Sequence, residues 1–280
     1  MKHPLTLALI QQSATDDIES NLRKGEESFI MAAEQGARLV AFAELAFTPF
    51  YPQDPNPENP ASLAETIPGP TTERFSRLAK RFGVTAVLNM FEKKDGQTYD
   101  SSPVIDADGS ILGVTRMVHI IDAPCFHETG YYAPGPGEPL VFSTRAGRIG
   151  VAICYDRHFP EYMRTLGLMG ADLVVVPQAG AVEEWPPGLY EAEMQVAGFQ
   201  NGYFTALCNR VGKEERLEFE GKSFVTGPDG RILAQAAAGR DDMLVVTVDL
   251  DQSSQSHARR YFLKDRRPGI YDHWTKTISK

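Results

Sequence analysis

Residues 149–161 read Ile149-Gly-Val-Ala-Ile-Cys154-Tyr-Asp-Arg-His-Phe-Pro-Glu161. Ile149, Val151 and Ile153 alternate at period two, the spacing of a strand, and Phe159-Pro160-Glu161 reads as a helix start. Cys154 therefore stands where a strand turns into a helix. Such a turn presents a side chain at the edge of a sheet, beside backbone N–H groups that can receive an oxyanion. A cysteine there is a candidate nucleophile, because sulfur is reactive even with little activation. The competing reading is a small buried hydrophobe, the usual place of a free cysteine. Cys208 sits inside an apolar strand and reads as core, and Cys125 has no comparable context.

The same alternation recurs on both sides of this stretch. Leu5 to Ile10 reads as a buried strand, followed by a helix from about Asp17 that carries Ile18, Leu22, Phe29, Ile30 and Ala33 and stops at Gly36. Residues 38–43 form a second apolar run. Thr71 or Thr72 is expected to cap a helix with Phe75, Leu78, Ala79 and Phe82, closed by Gly83, before a strand over Val84 to Met90. Asp95-Gly96, Asp108-Gly109 and Asp229-Gly230 each read as hairpin turns. Asp172 to Pro177, Tyr203 to Cys208 and Val245 to Leu250 supply further strands, and Leu189 to Gln200 a further helix. Buried apolar strands with intervening helices indicate sheet layers covered by helices. The periodicity does not decide between one sheet and two.

The chain of 280 residues is 42% hydrophobic and 23% charged, enough apolar content for one sizeable core and too much for disorder. Its 28 basic and 37 acidic residues leave a net charge of -9, opposite to what tracking a phosphate backbone requires. Nucleic acid is not an expected partner, and neither is a membrane: no polybasic anchor and no run of 18 apolar residues is present. Three widely spaced cysteines without a CxxC exclude a disulfide framework and a zinc ribbon, and a reducing, cytoplasmic setting is expected.

Two carboxylates join Cys154 as candidates. Glu44 directly follows an apolar strand, beyond its carboxyl end, where open α/β sheets place functional groups. To act as a general base it needs burial that raises its pKa towards neutrality; otherwise it is a solvated strand-end charge. Glu128 lies among aromatics, between Phe126 and Tyr131-Tyr132, or is simply a loop charge. His119 is a possible base, although a strand-end histidine is more often only hydrogen-bonded. Gly135-Pro-Gly reads as a turn, not a phosphate cradle.

Taken together these segments resemble the nitrilase superfamily of carbon–nitrogen hydrolases, from about Leu5 to Tyr271. Phe42-Ala-Glu44-Leu resembles its glutamate segment, and residues 149–161 its nucleophile segment. Asp122-Ala-Pro-Cys-Phe-His-Glu128 through Tyr132-Ala-Pro-Gly135 is similar to the loop with a second glutamate. Asn201-Gly-Tyr-Phe, Asn209-Arg-Val-Gly-Lys213, Gly227-Pro-Asp-Gly230 and Asp265-Arg-Arg-Pro268 follow in family order. The resemblance implies an α/β fold, a four-layer αββα sandwich spanning residues 1–280 as a single domain, and pairing of protomers into a homodimer or larger homo-oligomer. It implies Cys154 as nucleophile, Glu44 as general base, Glu128 as a second, positioning carboxylate and the Tyr155 N–H as an oxyanion donor. No cofactor or metal is implied.

One position departs. The family's lysine segment, Gly-x-x-Arg-Lys-x-His, here reads Gly113-Val-Thr-Arg-Met117-Val-His119. A thioether offers neither the charge nor the donor of an ammonium. Loss of one oxyanion donor costs roughly 10²–10³ in rate. Loss of the charge should also raise the pKa values of Glu44 and Cys154. Arg116 is a poor stand-in on a regular strand, where adjacent side chains face opposite ways, unless a bulge redirects it.

The resemblance thus implies a hydrolase that cleaves a non-peptide C–N bond of a small linear amide or N-carbamoyl amino acid through a thioester on Cys154. Arg157 resembles the arginine of branches acting on N-carbamoyl amino acids, where guanidinium pairs bidentately with a carboxylate; the alternative is a structural pair with Glu161. Phe50, Tyr51, Phe126 and Trp185 are pocket candidates or core. Met117 supports a second reading, a catalytically impaired homologue that binds a ligand or partner. A thiol redox protein ranks last, with no resolving cysteine nearby in sequence.

Overall fold

The computed structural model describes residues 3–55, 57–137 and 141–278. Its strands form two large sheets. One runs Asp242–Asp249, Pro4–Gln11, Leu39–Phe42, Thr85–Val87, Gln97–Ile105, Met90–Lys94, with Ile111–Arg116 also paired to Gln97–Ile105. The other runs Ile232–Gln235, Phe224–Thr226, Phe204–Asn209, Leu173–Gln178, Gly147–Val151, Val141–Thr144. Each has three adjacent parallel strands at its centre and antiparallel strands at its sides.

Period-two burial decides how the sheets stack. Ile149, Val151, Leu173, Val175, Phe204 and Ala206 turn to one face and join Leu7, Leu9, Leu39 and Ala41 of the first sheet in one buried cluster. Ala152, Val174, Val176 and Leu207 turn the other way. There they meet helices α3 (Pro160–Leu168) and α4 (Leu189–Asn201) through Met163, Leu166 and Met194. Helices α1 (Ile18–Glu34) and α2 (Pro70–Phe82) cover the first sheet, meeting edge to face at Phe29 and Phe75. The order is helices, sheet, sheet, helices: an αββα sandwich.

Local starts and stops follow the sequence with two corrections. Asp17 caps α1 by accepting the Ser20 N–H, but Ile18 is exposed, and the buried face is Asn21, Leu22, Gly25, Phe29 and Ala32. Helix α2 starts at Pro70 behind Gly69, earlier than a threonine cap would place it. The Thr72 hydroxyl bonds back to Gly69, and Thr71 bonds Glu65 instead. All three Asp-Gly pairs make tight turns between antiparallel strands.

Both parallel centres aim their carboxyl ends at one region. Leu39–Phe42 delivers Glu44 two residues on, Thr85–Val87 delivers Asn89, Gly147–Val151 delivers Cys154, Leu173–Gln178 ends in Gln178, and Phe204–Asn209 is followed by Arg210. Among the described residues no helix is long and apolar enough to cross a membrane.

Candidate active site

Cys154 opens a 3-10 turn, Cys154–His158, with φ at +41°. A side chain in this left-handed region costs roughly 1–2 kcal/mol. Local bonds hold it there: the Asp156 N–H donates to Ile153 O at 2.8 Å, and Arg157 Nη1 donates to Cys154 O at 3.0 Å. Gln178 Nε2 donates to the sulfur at 3.3 Å from the end of the neighbouring strand. The thiol is thus displayed on a strained elbow and steered by an amide.

Glu44, Glu128 and Cys154 converge. One carboxylate oxygen of each acid and Cys154 Sγ lie within 4.8 Å of one another, and all three residues are buried. Glu44 is followed by Leu45 at φ +44°, whose N–H donates to Asn89 Oδ1 at 2.8 Å. Arg210 bonds the backbone carbonyls of Glu44 and Leu45 and the Glu214 carboxylate. It fixes the loop without donating to the Glu44 carboxyl, and its charge only tempers the rise in that group's pKa. Glu128 accepts the Ile121 N–H on Oε2 at 3.2 Å. Its carbonyl takes the N–H groups of Tyr131 and Tyr132.

Burial dominates the electrostatics. The Glu44 carboxyl is raised to about 7, first by loss of solvent and then by the Glu128 charge. Glu128 is raised well above the carboxylate range by burial and by Asp100. Burial, then Glu44 and Glu128, push the Cys154 thiol up, and Arg157 opposes this weakly. Both groups are raised, with desolvation as the leading cause. A protonated thiol beside a carboxyl poised at neutrality is an arrangement in which the acid can take the proton of an attacking sulfur.

Met117 is fully buried in the apolar cluster that also contains Cys154. Arg116 does not replace the lysine. Its Nε and Nη2 hold both oxygens of Glu92 at 2.6 Å, and its guanidinium lies over Tyr99. The sheet bulge that could have redirected it falls at Val104/Ile105, remote from its own register partner Ser101. His119 is held by Asp156 at 2.6 Å and stacks on Phe159, so it is structural.

Arg157 is buried, and its partner is not Glu161. Nε donates to Glu193 at 3.2 Å and Nη1 to Gln178 at 2.7 Å, with the Tyr190 ring beneath. Nη2 has no hydrogen-bond partner among the described residues. Phe50 and Phe126 pack at 5.5 Å within an apolar cluster, whereas Trp185 is partly exposed against His158. Tyr51 lines a cleft of about 850 Å³ together with Asp54, Tyr131 and Lys213, set apart from Cys154, Glu44 and Glu128. Asp100, Asn89, Asp156 and Gln178 escaped the sequence reading. Gln178 carried a usable signal, a polar residue ending an apolar strand, as Glu44 does.

Three comparisons bear on this geometry. The model for carbon-nitrogen hydrolase matches residues 6–258. The N-carbamoylputrescine amidase of Solanum lycopersicum is 34% identical over 281 residues, covering 95% of this chain and 93% of its own. The structure of a carbon-nitrogen hydrolase from Helicobacter pylori G27 superimposes with a TM-score of 0.90 at 28% identity, covering 98% and 99%. An amidase of the nitrilase superfamily from Nesterenkonia AN1 gives 0.82 at 26% identity, covering 98% and 97%. With the αββα layers and the buried cysteine–carboxylate cluster, these matches place the chain in the carbon–nitrogen hydrolase family, within the nitrilase superfamily.

Proposed function

We propose that the protein hydrolyses a small linear amide or N-carbamoyl compound through a thioester on Cys154. The observation that carries this reading is the cluster of Cys154, Glu44 and Glu128 on a strained elbow. Glu44 takes the thiol proton as sulfur attacks the carbonyl carbon, and the oxygen becomes an oxyanion facing the Tyr155 N–H. The C–N bond breaks as Glu44 passes its proton to the leaving nitrogen, and the S–C bond remains. Water then attacks, Glu44 accepts its proton, and the S–C bond breaks with the proton returning to sulfur. An amide yields a carboxylic acid; a carbamoyl group yields carbamic acid, which falls to carbon dioxide and ammonia. Glu128 positions the reacting group, and Arg157 offers Nη2 to a substrate carboxylate.

The names of the relatives support the substrate range: one acts on N-carbamoylputrescine and another is an amidase. Self-association belongs to the same reading. Val196 and Phe199 are exposed on α4 beside Tyr261 and Phe262, an apolar face suited to a second protomer.

Ammonia release from a panel of N-carbamoyl amino acids, N-carbamoyl amines and aliphatic amides tests the reading, with mass spectrometry of the quenched protein. Turnover with an acyl or carbamoyl adduct on Cys154 is expected. The buried Met117 favours a second reading, a homologue that binds without turnover; ligand binding with no ammonia and no adduct would establish that instead.

A further inference from the structure

We propose that Tyr190 and Glu184 are positioning residues that hold the free arm of Arg157 for a substrate carboxylate, and so set the preference of the site for carboxylated over neutral substrates. This deepens the reading of Arg157 given above and rests on it.

The Arg157 guanidinium is buried against the elbow. Nη1 donates to Cys154 O at 3.0 Å and to Gln178 Oε1 at 2.7 Å, and Gln178 in turn donates to Cys154 Sγ at 3.3 Å. Nε donates to Glu193 at 3.2 Å, and Glu193 also holds His158 at 2.6 Å. Nη2 shares its carbon with Nη1 and so lies beside the same elbow, yet it has no hydrogen-bond partner among the described residues. A buried donor left unpaired is costly until a ligand supplies the acceptor. A carboxylate supplies one that is charge-assisted.

These bonds run in the plane of the guanidinium, and motion out of that plane is checked by a ring. The guanidinium carbon lies over Tyr190, 4.8 Å from its centroid, where the ring face attracts a cation. The ring is itself held at its tip. Tyr190 Oη donates to Glu184 Oε2 at 2.5 Å, and the same oxygen accepts the Ala181 N–H at 2.9 Å. The root of that loop is pinned: the Gly180 N–H donates to Asn209 Oδ1 at 2.7 Å, and Asn209 Nδ2 donates back to Gly180 O at 3.2 Å. A Cβ at Gly180 would stand 2.6 Å from Tyr190 Oη and 2.9 Å from its Cζ, so the phenol fits only over a bare backbone. The tether runs from the end of the strand Leu173–Gln178 through Ala181 and Glu184 to Tyr190, at the start of α4, and from there to Arg157. Tyr190 also packs against the apolar cluster under α3 and α4, and a merely structural loss would weaken every ligand alike.

Calorimetry on the full chain carrying Cys154→Ala, which removes turnover, tests the pair with two matched probes, N-carbamoylglycine and its neutral amide N-carbamoylglycinamide. The carboxylated probe should bind about tenfold or more tightly, the worth of one charge-assisted bond. Tyr190→Leu, which removes ring and tether, should bring the two Kd values to within about twofold of each other. Gly180→Ala leaves every polar group in place and crowds the phenol, and should narrow the ratio as well. Glu184→Gln still offers an oxygen to both donors and should preserve it. In an Arg157→Ala background Tyr190→Leu should leave the ratio where the first substitution puts it. Loss shared equally by both probes, or a further narrowing without Arg157, would overturn the proposal. So would the absence of any preference for the carboxylate at the outset. Should Tyr190→Leu fold poorly, an unchanged ratio in Gly180→Ala would overturn it alone. Ammonia release by the protein with Cys154 intact is read separately: no turnover beside a Tyr190-dependent preference would sink the hydrolase reading and leave the positioning role standing.

Discussion

The N–H of Met117 bonds the carbonyl of Asp100 at 3.0 Å, so an apolar side chain and a buried carboxyl leave the backbone side by side. Where the family pattern sets a cation beside Glu44, this chain sets a thioether and a third acid. Burial raises the pKa of each of these carboxyls, so stability should depend on pH in a particular direction.

The Glu44 carboxyl ionises near 4.5 when unconstrained and near 7 in the folded protein. The folded state thus favours the protonated acid. Its contribution is full below pH 4.5 and is lost as pH rises through 7. Thermal melts between pH 5 and 8 should show Tm falling by several degrees, and Glu44→Gln should flatten that fall. An equal slope in the variant would locate the pH dependence elsewhere.

Arg157 makes a separable prediction. Nε and Nη1 are occupied by Glu193, Gln178 and the Cys154 carbonyl, and Nη2 is not. Arg157→Ala should weaken kcat/KM for carboxylated substrates at least tenfold more than for neutral amides, the loss of about 1.4 kcal/mol or more of charge-assisted bonding. Matched losses would make the residue a brace for the elbow.

Much of the fold was legible because its strands alternate at period two and its helices stop at Gly36, Gly83 and the Asn201-Gly202 turn. Two sheets could not be told from one, since an inward valine of either reads the same. Cys154 and Glu44 were legible because each ends an apolar strand with a reactive group. Asp100 was not. It lies inside a strand, at the same parity as Ser102 and Val104, and a polar residue there reads as solvent-facing until the partner sheet is known to cover it. The break at Leu88-Asn89, which turns Asn89 inward to Asp100, has no sequence signature short of the pairing itself.

The apolar face of α4 should be covered in solution. Light scattering at micromolar concentration is expected to give a dimer or a multiple of it, and Val196→Glu with Phe199→Glu should shift the mass towards one chain. A parent that runs as a monomer at all concentrations would refute pairing through this face.

Met117→Lys separates the hydrolase from the binding protein. A lysine at this position would enter the buried cluster that contains Cys154, whose sulfur lies within 4.8 Å of oxygens of Glu44 and Glu128, both buried and accepting from no cationic side chain among the described residues. The ammonium should take the counter-ion place and offer a donor to the oxyanion. Two consequences follow from that charge balance. Tm at pH 8 should rise, and turnover on the best substrate should increase by about 10- to 100-fold. A site drifted to apolar binding would instead strand the charge, and the variant would melt several degrees below its parent and release no ammonia. Brisk turnover by the parent, with no gain from the lysine, would mean that another donor of the site already supplies what the ammonium would.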